Sequence, residues 1–373
     1  IDATTLTSVA VFGPLADARN LGDGGSSDVY APTVVTPMQG LVDALPGAAV
    51  THHATPEATG ADVAVVVVGY TRADEGEFIG DTGTSALRAL LPGPDDPDEA
   101  AAFAALLEAE DLPALAPGSE PATEVGGFST GGDRASLRLS DADEALIAAV
   151  ATHHPRTVVV LIGGSAVVME PWRTAVPAIA QLWYSGMEGG HALAEVLLGQ
   201  VDATGRLPFT IPADEQHLPP FDRDADTATY DRWHGYWLLA RDRHEAAFPF
   251  GFGLSYTTFE IGPTTVDDDG EELVVRAVLR NTGGRDGTDV VQVYAGRPAD
   301  PDRPTRRLVA FARVDVAAGA EADVELRVPW TRLAVRDAAH GRWTVVPGTY
   351  AFTVGRHSAD VLSVDLIIDR PGS

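Results

Sequence analysis

Hydrophobic and polar positions fall into two regimes along the chain. Up to about residue 210, unbroken apolar runs alternate with stretches of helical period. Ser8–Gly13, Asp62–Tyr70, Thr157–Ile162 and Ala178–Tyr184 read as strands. Apolar runs without alternation mark strands buried on both faces of a parallel sheet. Thr36-Pro37 has the form of an N-cap and first helical position, and Met38, Leu41, Val42 and Leu45 follow as an apolar stripe. Ser140, with Asp143 three residues on, opens a second helix carrying Leu146, Ile147 and Val150. A third lies between Gly190 and Gly199, with Leu193, Val196 and Leu197 on one face and Gly199 as its stop. Strand and helix in alternation predict a mostly parallel sheet covered on both sides, a three-layer α/β sandwich.

An insertion of about residues 83–132 breaks this rhythm. Pro92-Gly93-Pro94-Asp95-Asp96-Pro97 leads into a helix at Glu99–Glu110, followed by a Pro/Gly/Ser-rich stretch, Pro113–Gly132. Such an excursion is either a lid or surface decoration. Residues 211–259 are rich in Pro and aromatic side chains and poor in periodicity, an ordered connector. From residue 260 to 373 only strands are expected. Leu273, Val275, Ala277 and Leu279 alternate with Val274, Arg276, Val278 and Arg280. Asp289–Ala295, Arg307–Val314, Ala322–Val328, Thr349–Gly355 and Val361–Ile368 continue the pattern, with turn residues between them. Short strands at this spacing indicate an all-β sandwich.

Composition narrows the function. The 373 residues are enough for two cores. Cys is absent, so disulfide and thiolate chemistry are excluded, and Lys is absent, so all 26 basic residues are Arg. A formal net charge of −28 argues against nucleic acid and anionic membrane as partners. No apolar run approaches a membrane span. Ile1-Asp2-Ala3 opens no signal peptide, which favours the cytoplasm, and the absence of an initiator Met suggests that chain precedes Ile1. A homo-oligomer stays open.

Candidate chemistry concentrates after the second apolar run, where the strand meets Asp74-Glu75-Gly76-Glu77. Ligands of open α/β sheets sit beyond the carboxyl ends of the strands. No metal partners accompany these acids. The pairs His52-His53 and His153-His154 point apart on a strand and read as loop or helix-end histidines. No dinucleotide glycine fingerprint and no nucleophile elbow occurs, and no cofactor is expected. Local sequence alone leaves a solvated loop carboxylate and a catalytic one both open.

A succession of motifs runs through nearly the whole chain: Val9–Asp17, Gly22-Asp23-Gly24-Gly25-Ser26-Ser27, Val35-Thr36-Pro37, Glu75-Gly76-Glu77, Asp133-Arg134, Trp183–Gly190, Gly205-Arg206-Leu207-Pro208 and Phe248–Phe259. In this order they resemble the C-terminal half of glycoside hydrolase family 3, the β-glucosidase/β-xylosidase group. The resemblance implies an α/β sandwich followed by a fibronectin-III-like domain, without the family's N-terminal (β/α)8 barrel, which holds the nucleophilic Asp. It implies a retaining exo-β-glycosidase acting on a β-glycoside, with the barrel on a preceding segment or a separate chain. The family's acid/base Glu, in a Gly-Glu segment, matches Glu77, with Glu75 as runner-up. The family usually passes directly from this Glu to an Asp-Arg pair, whereas here residues 83–132 intervene before Asp133-Arg134. Asp74 and Glu75 could raise the Glu77 pKa by like-charge repulsion. Asp23 is a candidate substrate contact. Trp183 and Glu188 are expected at a strand end and a helix start; Trp233 and Tyr236 could face sugar, but burial is the stronger expectation for them. The alternative is a non-catalytic carbohydrate-binding or scaffold module.

Overall fold

The computed structural model describes residues 1–22, 31–76, 96–97, 99–101, 134–222, 225–297 and 306–360, and the backbone of 362–370. Five parallel strands form the first sheet: β1 (Ser8–Phe12), β2 (Ala49–His53), β3 (Val63–Gly69), β4 (Thr157–Ile162) and β5 (Ala178–Gln181). Their order is β2-β1-β3-β4-β5. In β3, Val63, Val65 and Val67 pack on one face with α1 (Pro37–Ala44) and a helix at Gly189–Leu197. Ala64, Val66 and Val68 pack on the other with a helix at Asp141–His153, through Ile147 and Val150. Both faces are dry, so selection for alternation is lost and the strand reads as continuous valine. Each fully buried Val or Ile contributes roughly 1.5–3 kcal/mol. The fold is the expected three-layer α/β sandwich.

Local signals set the helix starts. Thr36 accepts from Gln39 N at 3.2 Å, with Pro37 in the first turn. Ser140 accepts from Asp143 N at 3.1 Å. Gly199, at φ 68°, lies just past the end of the Gly189–Leu197 helix. Three expectations change. Val42 is exposed, and Gly40 and Leu41 face the core instead. β5 ends at Gln181 rather than Tyr184, because Trp183 takes φ 60°, outside strand geometry. His52 and His53 lie in the exposed edge strand β2, not in a loop; His153 and His154 do end a helix. Of the Glu99–Glu110 helix, residues 99–101 are helical and the remainder lies outside the described residues.

The connector is more regular than its composition suggests. It holds β6 (Ile211–Pro212), a helix at Gly235–Asp242 and β7 (Ala246–Phe248). Beyond it, β8 (Phe259–Asp268), β9 (Glu272–Asn281) and β12 (Glu321–Pro329) make one antiparallel sheet. β10 (Gly287–Gly296), β11 (Arg306–Val316), β15 (Gly348–Gly355) and β16 (Leu362–Arg370) make the other. β13 (Val335–Asp337) and β14 (Arg342–Thr344) form a separate two-stranded ribbon. Leu273, Val275, Ala277 and Leu279 of β9 meet Val291 and Val293 of β10 and Tyr350 and Phe352 of β15 in one core. This is the expected β-sandwich.

Polar contacts lock the two units together. Asp202 accepts from Ser255 Oγ at 2.7 Å, Tyr256 N at 2.9 Å and Thr288 N at 3.1 Å. Arg206 pairs with Asp289 at 2.5 Å, both nearly buried. Gln292 donates to Gly251 O at 3.0 Å, and Ser358 N to Phe250 O at 2.9 Å.

Candidate active site

The strand order reverses direction between β1 and β3, so the crevice of this sheet opens at their carboxyl ends. Both strands leave that edge through glycine. At Gly13 (φ 103°) a Cβ would lie 2.1 Å from Val67 O, and at Gly69 (φ 138°) 1.9 Å from Ile162 O. No L side chain fits either position, so each strand is forced off the sheet at a fixed point. Tyr70 N then bonds Ile162 O at 2.9 Å. Thr71 caps a single turn, α2 (Arg72–Glu75), through a capping box: Thr71 Oγ1 accepts from Ala73 N at 3.1 Å, and Asp74 Oδ2 accepts from Thr71 N at 2.8 Å. Asp74 is thereby committed to the cap.

Glu75 is largely shielded from solvent and held by three donors. Its Oε1 accepts from the Tyr184 hydroxyl at 2.7 Å and from Gly164 N at 2.5 Å. Its Oε2 faces Arg134 Nε at 3.2 Å, with the two side chains 11% and 7% exposed. The Arg134 guanidinium lies 3.9 Å from the Tyr70 ring centroid and also donates to Ala166 O at 3.0 Å and to Ser165. Burial raises the Tyr70 phenol above its usual value, against the opposing charge of Arg134. Asn20, on the segment leaving β1, donates to Tyr70 O at 2.8 Å. The loop after β4, the segment after β5 and Arg134 therefore converge on the one carboxylate that follows β3, while the exit of β1 holds the Tyr70 carbonyl beside it.

This network changes the weight of the sequence-based candidates. A general acid must donate a proton toward its substrate, whereas Glu75 is fully engaged as an acceptor inside the protein. Its three contacts tie the acidic loop to the sheet. Gly76, the last described residue before Glu77, sits on the carboxyl rim with its N–H on Arg72 O at 2.9 Å. Glu77 and Asp23 themselves lie outside the described residues, as does Asp133. Because Glu75 is ion-paired, less of its charge reaches a neighbouring acid than sequence adjacency suggests. A further buried acid, Asp143 at the N-terminus of α3 (Asp141–His153), stands near Asp74. Burial raises its carboxyl above the usual range, Ser140 opposes this, and the Asp74 charge adds to it.

Sequence reasoning quoted Arg134 and Tyr184 only inside motifs and missed their joint role. They are 50 residues apart and meet at Glu75. Trp183 stands two residues past the end of β5 with its ring edge-on to Phe209 at 5.6 Å, and Glu188 precedes α4 (Gly189–Leu197). Tyr236 is half-buried, stacked on Phe250 at 5.4 Å, and Trp233 lies 5.2 Å from the Arg241 guanidinium. Among the described residues no group of three or more His, Asp or Glu is placed to hold a metal ion.

Comparison with known proteins gives a consistent picture. Residues 3–256 match the glycosyl hydrolase family 3 C-terminal domain, and residues 289–358 a fibronectin type III-like domain. A xylan 1,4-beta-xylosidase from Xylanibacter ruminicola is 34% identical over 245 residues, 65% of this chain and 27% of that protein. A beta-glucosidase from Rhizobium radiobacter is 36% identical over 261 residues, 64% of this chain and 31% of its own. The chain thus spans about a third of the length of these curated relatives. A beta-D-glucoside glucohydrolase from Trichoderma reesei superposes with a TM-score of 0.78, covering 98% of this chain and 52% of its own; at 21% identity the likeness is one of fold.

Proposed function

The chain belongs to glycosyl hydrolase family 3, and from that premise we propose that it supplies the acid/base half of a retaining exo-β-glycosidase active site. Glu77 is the general acid/base, and the nucleophilic Asp lies on a (β/α)8 barrel outside this chain. The substrate is a β-glucoside-like terminal glycoside, approached at the rim where β1 and β3 part.

The single observation that carries this reading is the engagement of Glu75. With Asp74 in its cap and Glu75 held by Tyr184, Gly164 and Arg134, the acidic loop has one acid left for chemistry. The share of the relatives' length that the chain covers supports a second component. In a retaining mechanism one carboxylate attacks the anomeric carbon, while the other protonates the departing oxygen and then takes a proton from water. The two must come within roughly 5–5.5 Å. A carboxyl on a loop at the sheet rim reaches that geometry when the barrel covers the rim, and desolvation there raises its pKa toward a working acid.

The test joins this chain to a family barrel, fused or mixed, and compares wild type with Glu77→Gln on aryl and alkyl β-glucosides. The expected loss is about 10²–10⁴-fold for poor leaving groups and much less for dinitrophenolate, which needs no proton. Equal turnover of alkyl glucosides by the variant removes Glu77 from the role. Sugar binding by this chain with no hydrolysis in any pairing returns the carbohydrate-binding module as the answer.

A further inference from the structure

A second site lies where the connector meets the sandwich. One cavity of about 350 Å³ is lined by Arg232, Arg297, Arg306, Arg307 and Arg336, with Trp237 and Ala295 as its apolar surface. Five of the 26 cationic side chains of a protein with net charge −28 thus surround a single hollow.

Independent elements build the walls. Ala295 and Arg297 end β10 or follow it, Arg306 and Arg307 open β11, and Arg336 is the middle residue of β13. Trp237, in the first turn of α5 (Gly235–Asp242), donates its indole N–H to Arg306 O at 2.5 Å and so fixes the helix against the start of β11. Arg306 is braced in turn by its own donation to Ser358 O at 2.7 Å. Arg307 is half-buried. Burial lowers its guanidinium from the usual value, and among the described residues the groups acting on it are Tyr236, Arg332 and Tyr350, none of them a carboxylate. Among the described residues neither Arg307 nor Arg336 forms an ion pair.

Cations crowded around one hollow repel one another, and an oxyanion relieves that cost. The planar guanidinium fork matches carboxylate and phosphate oxygens bidentately, which a lysine cannot do. The volume suits a sugar-sized molecule rather than a bare ion, and the Trp237 and Ala295 surface gives an apolar face for a ring. We propose that this cavity binds a sugar carrying oxyanion groups, phosphate or carboxylate. The site shares no residue with the acidic loop, so it stands whether or not Glu77 is the acid.

Calorimetric titration of the full chain at low salt, with glucose 6-phosphate and with glucuronate, tests the proposal. Glucose and inorganic phosphate serve as comparisons. Saturable binding of at least one sugar anion is expected, weakened at least tenfold by Arg336→Gln and by Arg307→Gln. The preferred anion tells phosphate from carboxylate as the recognised group. Arg336 is exposed in a surface ribbon, so its variant keeps the wild-type melting temperature. Absence of saturable binding by either sugar anion overturns the proposal. So does glucose or inorganic phosphate binding as tightly as they do, or undiminished binding by the Arg336 variant.

Discussion

Replacing Glu75 by Gln separates an anchoring carboxylate from a catalytic one. The amide keeps the side-chain volume and removes only the charge. If its oxygen stays on Tyr184 and Gly164, its NH2 faces Arg134 Nε, donor against donor; if it turns over, the NH2 meets Gly164 N–H instead. Either way a guanidinium 7% exposed is left without its counterion. Removing one partner of a buried pair costs about 3–5 kcal/mol, and the slight solvent contact here places the loss near about 3 kcal/mol. For a unit of some 150–250 residues each kcal/mol moves Tm by roughly 2–4 °C, so the expected drop is about 6–12 °C. The assay is a circular-dichroism melt of the full chain, repeated in urea. Tyr184→Phe removes one donor from the same carboxylate and is expected to cost about 1.5 kcal/mol, half as much. In an enzyme assembled with a barrel, Glu75→Gln should slow good and poor leaving groups alike. An unchanged Tm together with a loss confined to poor leaving groups refutes the reasoning and makes Glu75 the proton donor.

Two further outcomes follow from the geometry. Gly69→Ala, which puts a methyl 1.9 Å from Ile162 O at a φ of 138°, is expected to destabilise the chain by at least about 2 kcal/mol in urea unfolding, while Ala at the open turn of Gly47 leaves the midpoint unchanged. His191, hydrogen-bonded to Asp43 first and Glu188 second, has its imidazole pKa raised; its contribution is therefore complete below the unfolded value near about 6.5 and is lost as pH rises through the folded value. NMR titration should show the raised midpoint, and Asp43→Asn should bring it back down.

Much of this fold was legible because its signals are local. The valine run of β3 and the Thr36 and Ser140 caps depend only on near neighbours, and the structure places them within a residue or two. The same holds for the alternation in β9. β2 escaped notice because an edge strand with exposed Thr51 and His52 shows no core periodicity. The helix Gly235–Asp242 was hidden by surrounding aromatics that serve the junction with the sandwich rather than one face of a helix. β5 ran short because a left-handed Trp183 leaves no trace in side-chain hydropathy. The candidate site was legible as a location, through the rule that α/β sheets work at their carboxyl edges. Its internal division of labour was not: the contacts that occupy Glu75 come from residues 89, 59 and 109 positions away, and only the folded sheet brings them together.

The Glu75–Arg134 pair has a consequence for how such a chain can grow. It joins positions on either side of the 83–132 stretch, so both stems are already fixed before the intervening residues are counted. Closing a segment between fixed ends costs only about 0.6 kcal/mol per doubling of its length. Extra sequence can therefore be spliced between the stems, or trimmed away, while the sheet beneath hardly registers the change. A designer seeking a place to graft a new element at this rim of the sheet would find the anchorage for it already built.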